Sequence, residues 1–375
     1  MNNNKKLLVS CFYAFFYSGI VMLTLGSALP DISSAHNLPY SMSGALLSCY
    51  SLGNLASGIL VGLAAMYLGA KTSIIILTLS ICLGYAALTL AGIPALLLVF
   101  CAMIGLGRGS LITFSQGTVS LITDGKPQTT LMLHASFAAG AILAPLMFSA
   151  LRGINWRAGL IFVAVLGGVA VMLFLNVRDY PQAGAPSGKS LAFLREKGFM
   201  LMAALIFMYL CCEFALNGWL VTYMTHKNMT MNYSQSMAAL MWIVMLAGRL
   251  LCVRLSGYMK QSTILLVLSL GACVCFGVML RSEGKISVAV SVALVGLFMS
   301  GISPIIYASS AKYTNKYPLA MGVLFTSGCT GGTLMPLITG IIAEHWGFTA
   351  GMSAVLGTFI MLLIFAVMNI WRRNS

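Results

Sequence analysis

Tyr209, Glu213 and Asn217 are spaced i, i+4 and i+8 in an otherwise apolar run from Leu205 to Tyr223. That spacing puts a phenol, a carboxylate and an amide on one face of one helix. The run is long enough to cross a bilayer. An ionised acid at the centre of a spanning helix costs on the order of 3 kcal/mol, so a polar solute site or a proton site is the default reading of Glu213. Other polar groups share this setting. Tyr50, Asn54 and Ser57 lie in one apolar run, Arg108 lies in a second, and Trp242, Met245 and Arg249 share a face in a third. Trp219 follows Asn217 by two residues, and His134 sits in a run of its own. Lipid offers these groups no hydrogen bonds, so they should face protein or a water-filled cavity. Structural readings stand beside the functional ones. Asn54 can glue helices together, Arg249 can brace a helix end, His134 can be a helix-contact residue, and Glu213 can pair with Arg108.

The elements that must hold these residues follow from composition. The chain has 375 residues, 59% hydrophobic and 7% charged, with mean hydropathy +0.96. A soluble domain carries about 25% charged residues, so the expected fold class is an all-α polytopic membrane protein. The net charge of +14 does not mark a nucleic-acid binder, because the basic residues are scattered singly between apolar runs. The ten cysteines lie nearly all within apolar runs and none has metal-ligand spacing with histidine. Met1–Lys6 leads directly into a span too long for a signal h-region, so no cleavage is expected.

Apolar runs between charges and Pro/Gly breaks predict twelve spans, over 7–29, 41–65, 72–92, 95–121, 129–150, 158–177, 199–223, 235–257, 262–280, 286–308, 318–342 and 349–370. With the N-terminus inside, fourteen Lys and Arg fall in inner segments and five in outer ones, with Arg108 and Arg249 inside spans. That asymmetry predicts both termini in the cytoplasm. Trp156, Trp346 and Trp371 fall at span ends, as belt residues do.

The longest hydrophilic stretch, Arg178 to Lys197, divides the chain into an N-terminal bundle over 1–177, a cytoplasmic linker over 178–197 and a C-terminal bundle over 198–375. An internal echo supports two halves. Gly140-Ala-Ile-Leu-Ala-Pro145-Leu146 recurs 191 residues later as Gly331-Gly-Thr-Leu-Met-Pro336-Leu337, and Gly105 maps onto Gly296 at the same offset. Parallel six-helix repeats build one large transporter fold, with the solute site near the midplane between halves. Gly58-Ile-Leu-Val-Gly62 matches the GxxxG pattern of close helix packing. Gly105-Leu-Gly-Arg-Gly109 is no phosphate loop, since it lies in a span with no strand before it. With no Walker motif and no nucleophile–base arrangement, neither an ATP-driven pump nor an enzyme is expected, and no cofactor or metal is implied.

Gly62-Leu-Ala-Ala-Met-Tyr-Leu-Gly69-Ala-Lys71 resembles the loop motif of the major facilitator superfamily, although Met66 and Tyr67 stand where that motif has Asp and Arg. Asn155-Trp-Arg157 also resembles the family. Tyr209…Glu213…Gly218-Trp219…Tyr223 is similar to a segment of its fucose/glucose/galactose permease-like branch, as are Trp242 with Gly248-Arg249 and Leu133-His134…Gly140…Pro145. The resemblance implies two pseudo-symmetric six-helix bundles, alternating access around a sugar-sized cavity, a monomer in the cell inner membrane, and often proton symport. The fucose permease carries acids in spans one and four where this chain has none. Proton coupling would therefore run through Glu213, with His134 as a second proton handler, or the protein is a uniporter.

The expected function is transport of a small polar solute, a sugar first. Tyr50, Asn54, Arg108, Tyr209, Glu213, Asn217, Trp219, Trp242 and Arg249 are the candidate substrate ligands. An organic-anion transporter using Arg108 and Arg249, a drug–proton antiporter and a non-transporting membrane sensor or scaffold are the alternatives.

Overall fold

A computed structural model of the chain describes residues 3–123, 127–180, 192–255, 257–314 and 316–374. These residues form helices joined by short turns, with no strand among them. In chain order the helices are α1 (Asn3–Ala35), α2 (Tyr40–Leu68), α3 (Ala70–Leu88), α4 (Pro94–Ile122), α5 (Pro127–Arg152), α6 (Trp156–Leu175), α7 (Lys197–His226), α8 (Met231–Leu255), α9 (Gln261–Arg281), α10 (Lys285–Met299), α11 (Ile302–Ser309), α12 (Ala311–Thr314), α13 (Pro318–Trp346) and α14 (Phe348–Asn374). Among the described residues, twelve segments are long and apolar enough to cross a membrane, in register with the expected spans. The ends differ from expectation: α1 runs from Asn3 to Ala35, because a helix continues past the apolar core into the polar interface. The tenth span is not one helix but α10, α11 and α12 in succession. Pro304 explains the first break, since it has no N–H for the carbonyl of Ser300 and its ring crowds that carbonyl. Pro145 and Pro336 stay inside α5 and α13.

Two compact units divide the chain, Met1–Ala185 with α1 to α6 and Pro186–Ser375 with α7 to α14. Of the linker expected over 178–197, residues 181–191 lie outside the described residues. Local signals set the helix ends. Pro94 opens α4 at its first turn, where no N–H is needed. Asn155 caps α6, its side chain accepting from the Arg157 N–H at 3.0 Å. Gly69 and Gly347 join α2 to α3 and α13 to α14 at φ 79° and 89°, a conformation that a Cβ would oppose.

Glycine sets the closest helix contacts, and it does so twice over. A Cβ on Gly140 would fall on the carbonyl of Phe16, and a Cβ on Gly331 would fall on the carbonyl of Phe207. Gly105 stands against the carbonyl of Tyr50, and Gly296 against that of Met241. All four pairs obey the 191-residue offset, so the repeat seen in sequence is also a repeat of contacts. One crossing is reversed. Ser57 Oγ of α2 occupies the space over Gly109 of α4, whereas Ser300 Oγ beyond α10 occupies the space over Gly248 of α8. Both hydroxyls also bond a carbonyl three residues back, Asn54 and Leu297, each at 2.6 Å. The expected GxxxG contact does not form at Gly62, which has nothing within 4 Å of a built Cβ. Among the described residues nothing approaches Gly62, and α2 makes its close approach through Gly53 instead, against the carbonyl of Ala102.

Helix ends are tied by charge. Arg152 grips the carboxylate of Asp31 with both Nε and Nη2, at 2.8 to 3.0 Å, joining α5 to α1. Lys71 donates to the carbonyls of Leu175 and Val177 at the end of α6, and Lys227 to those of Leu280 and Ser282 at the end of α9. An ammonium at a helix C-terminus meets both the dipole and the free carbonyls. Burial lowers the pKa of Lys227 from the ordinary lysine value, and nearby Glu283 opposes the shift.

Candidate functional site

Helix α7 positions the first cluster. Its Tyr209, Glu213 and Asn217 are all buried, at 0%, 8% and 8% exposure. Helix α8 supplies the neighbours. The indole N–H of Trp242 donates to Asn217 Oδ1 at 3.1 Å, and the Arg249 guanidinium lies 5.7 Å from the Trp242 ring centroid. Arg249 is half-buried, donates from Nη2 to Met245 Sδ at 3.7 Å, and leaves its buried Nε without a partner. The Tyr209 hydroxyl lies beside Glu213 and Ser303, with the Arg249 charge also within electrostatic reach. Asn217 Nδ2 is buried and unpaired. Beside the Glu213 carboxylate, then, lies the Tyr209 phenol, with an unpaired amide N–H of Asn217 one turn on and an unpaired guanidinium N–H on α8.

Ser303 and Tyr307 belong to this cluster, because Tyr307 also feels the Glu213 charge. Sequence reasoning passed over them. A signal existed: Ser303-Pro304 interrupts a span, and Ser303 and Tyr307 are i, i+4 on α11.

Trp219 is tied to neighbouring helices. It is fully buried, its indole N–H donates to the Pro336 carbonyl at 3.0 Å, and its ring meets Phe348 edge-on at 5.4 Å. It braces α7 against α13 and α14.

The first unit holds a second cluster, around Arg108 of α4. Arg108 is 5% exposed. It donates from Nη1 to Asn54 Oδ1 at 2.9 Å, from Nε to the Ser18 carbonyl at 3.4 Å and from Nη2 to Met22 Sδ at 3.3 Å. Ring centroids of Phe137 and Tyr50 lie 5.6 and 6.0 Å from its guanidinium carbon. An amide, a carbonyl, a thioether and two ring faces thus meet its charge. His134 of α5 is exposed and edge-on to Phe15 at 5.5 Å.

Position by position, the clusters are counterparts with altered chemistry. Met22 and Ser18 of α1 correspond at the 191-residue offset to Glu213 and Tyr209 of α7, and Asn54 to Met245. The carboxylate of the second cluster, Glu213, thus has a thioether, Met22, at its counterpart in the first, and Arg108 has Met299 at its counterpart in the second.

A family model described as Major Facilitator Superfamily matches residues 10–295. Protein TsgA of Shigella flexneri is 22% identical over 97% of this chain and 94% of its own length. Protein TsgA of Escherichia coli O1:K1 / APEC is 23% identical over the same shares. Among solved structures, a bacterial homologue of the human lysosomal transporter Spinster, inward-facing and occupied, superposes with TM-score 0.82 at 12% identity, covering 100% of this chain and 98% of that one. A single-residue mutant of the nucleoside transporter NupG gives TM-score 0.77 at 16% identity, covering 98% and 99%.

Proposed function

The chain belongs to the Major Facilitator Superfamily, and on that premise we propose that this membrane transporter carries a small hydroxyl-bearing solute, a sugar first, bound by Tyr209, Glu213, Asn217 and Trp242. The observation that carries this reading is the unused bonding capacity around Glu213. Asn217 Nδ2 is buried without a partner one turn from Glu213, a carboxylate with two acceptor oxygens, and the Tyr209 hydroxyl lies beside that carboxylate. A hydroxyl both donates and accepts, so it satisfies a carboxylate and an amide N–H together. A site of this kind rejects analogues lacking the hydroxyl, since its own buried groups would be left unpaired. Tyr50 and Asn54 are proposed ligands on the first unit, and Arg249 on the second.

Accumulation coupled to protons would run through Glu213, with His134 of α5 as the second proton carrier. The protein would act by alternating access, as a monomer in the cell inner membrane with both termini in the cytoplasm. The Lys and Arg distribution supports that orientation.

Uptake into proteoliposomes tests the reading. Labelled hexoses, pentoses and a nucleoside are offered with and without an inward proton gradient. Saturable uptake of at least one of them, lost in Glu213→Gln, is expected. Uptake in Glu213→Gln at the wild-type rate and with the wild-type gradient response would remove Glu213 from the mechanism. No uptake of any hydroxylated solute, alongside uptake of lipophilic cations, would favour the drug–proton antiporter.

A further inference from the structure

We infer that Arg108 is the centre of a second site, within the first unit, that accepts an oxyanion. A guanidinium buried to 5% exposure in a spanning helix is costly unless its charge is met. Each of its three hydrogen bonds goes to a neutral acceptor, one of them a thioether sulfur. A guanidinium has five N–H donors, so two remain for a further partner.

The groups around it include two hydroxyls that can donate. The Tyr50 hydroxyl is buried without a partner, and its ring centroid lies 6.0 Å from the Arg108 guanidinium carbon. The Ser18 hydroxyl is also buried without a partner, on the residue whose carbonyl Arg108 Nε reaches. The nearest side-chain acceptor, Asn54 Oδ1, already accepts from Arg108. A neutral polyol can use those hydroxyls in either sense, but it leaves the guanidinium charge without a counter-charge. A carboxylate or phosphate needs donors and positive charge, and bidentate binding to a guanidinium suits it.

The second unit shows the contrast. At the position that corresponds to Met22, it holds Glu213. In the first unit a thioether occupies the place where an internal carboxylate would neutralise Arg108. An anionic solute would supply that missing negative charge. The inference rests on the proposed transport reading only for the identity of the molecule that brings the oxyanion; the subsite itself is testable without transport.

The test is thermal stability of the purified full chain, with acetate against its neutral isostere acetamide, and with inorganic phosphate, all at ionic strength matched with chloride. Wild type is expected to show saturable stabilisation by acetate or phosphate and none by acetamide. In Arg108→Gln the half-saturating concentration should rise at least about tenfold, since a charge-assisted hydrogen bond is lost. Met22→Glu supplies the missing carboxylate while keeping Arg108, and should abolish the anion response without lowering the ligand-free midpoint. Equal responses to acetate and acetamide, or an anion response that persists in Met22→Glu, would overturn the inference. If Arg108→Gln does not fold, Met22→Glu decides alone. Neutral hexoses are run on the same preparation. An anion response through Arg108 without hexose uptake or stabilisation would sink the neutral-sugar reading and leave the subsite standing. Hexose uptake without an anion response would do the reverse.

Discussion

Trp242 donates its indole N–H to Asn217 Oδ1 at 3.1 Å, and so decides which end of the Asn217 amide remains free. An indole nitrogen only donates, so the amide must turn its oxygen to α8. Nδ2 is left buried and unpaired one turn from Glu213. Asn217→Ala should therefore raise KM for a hydroxylated solute by about tenfold, the effect of one lost buried hydrogen bond of roughly 1.5 kcal/mol. Trp242→Phe removes the orienting bond and shortens the ring that faces Arg249, and should raise KM less. Uptake kinetics check the order. Equal or reversed effects would mean that Nδ2 is not a ligand.

Gly140 and Gly331 each face a backbone carbonyl that a Cβ would strike. Backbone on two packed helices has little room to move, so Gly140→Ala and Gly331→Ala should each cost about 2 kcal/mol or more, as overpacking does. Gly62→Ala is the control. That position is open, and alanine favours helix over glycine by about 1 kcal/mol. Thermal denaturation in detergent should show two variants falling and the third holding or rising.

Much of this architecture was legible because membrane helices advertise themselves by length and by polar interruption. The face shared by Tyr209, Glu213 and Asn217 follows from helical period alone, and the offset between Gly140 and Gly331 revealed a repeat whose contacts the structure bears out at Phe16 and Phe207. Direction was not legible. Trp219 shares a helix with Asn217, but its indole finds the Pro336 carbonyl 117 residues away, which no local spacing encodes. The Gly58-x-x-x-Gly62 pattern failed for a similar reason: a glycine pair permits close approach without naming a partner. The break at Pro304 was readable, and reading it would have drawn Ser303 and Tyr307 into the Glu213 cluster.

The Ser57–Gly109 and Gly248–Ser300 crossings put the same pair of residue types on opposite helices. Within the first unit, Gly109→Ser alone should clash with Ser57, and Ser57→Gly alone should leave a gap. The double variant copies the residue pair of the second unit and should regain part of the loss, since the Asn54 carbonyl still stands close to a Cβ on residue 109. A double-mutant cycle on thermal stability should give a favourable coupling of about 1 kcal/mol or more, within the range for residues in contact. Additive losses would show that the two crossings are not interchangeable.

Trp219 and Trp242 make a matched test of bracing against binding. Both are buried, and each gives its N–H to one acceptor. The acceptor of Trp219 is the Pro336 carbonyl of α13, and its ring packs on Phe348 of α14. Trp219→Phe keeps much of the ring contact and deletes the bond, which leaves a buried carbonyl with one fewer donor. The expected loss is about 1 kcal/mol of stability, with KM for the transported solute unchanged. Trp242→Phe should do the opposite, moving KM more than the melting midpoint. A raised KM in Trp219→Phe at unchanged stability would return Trp219 to the solute site.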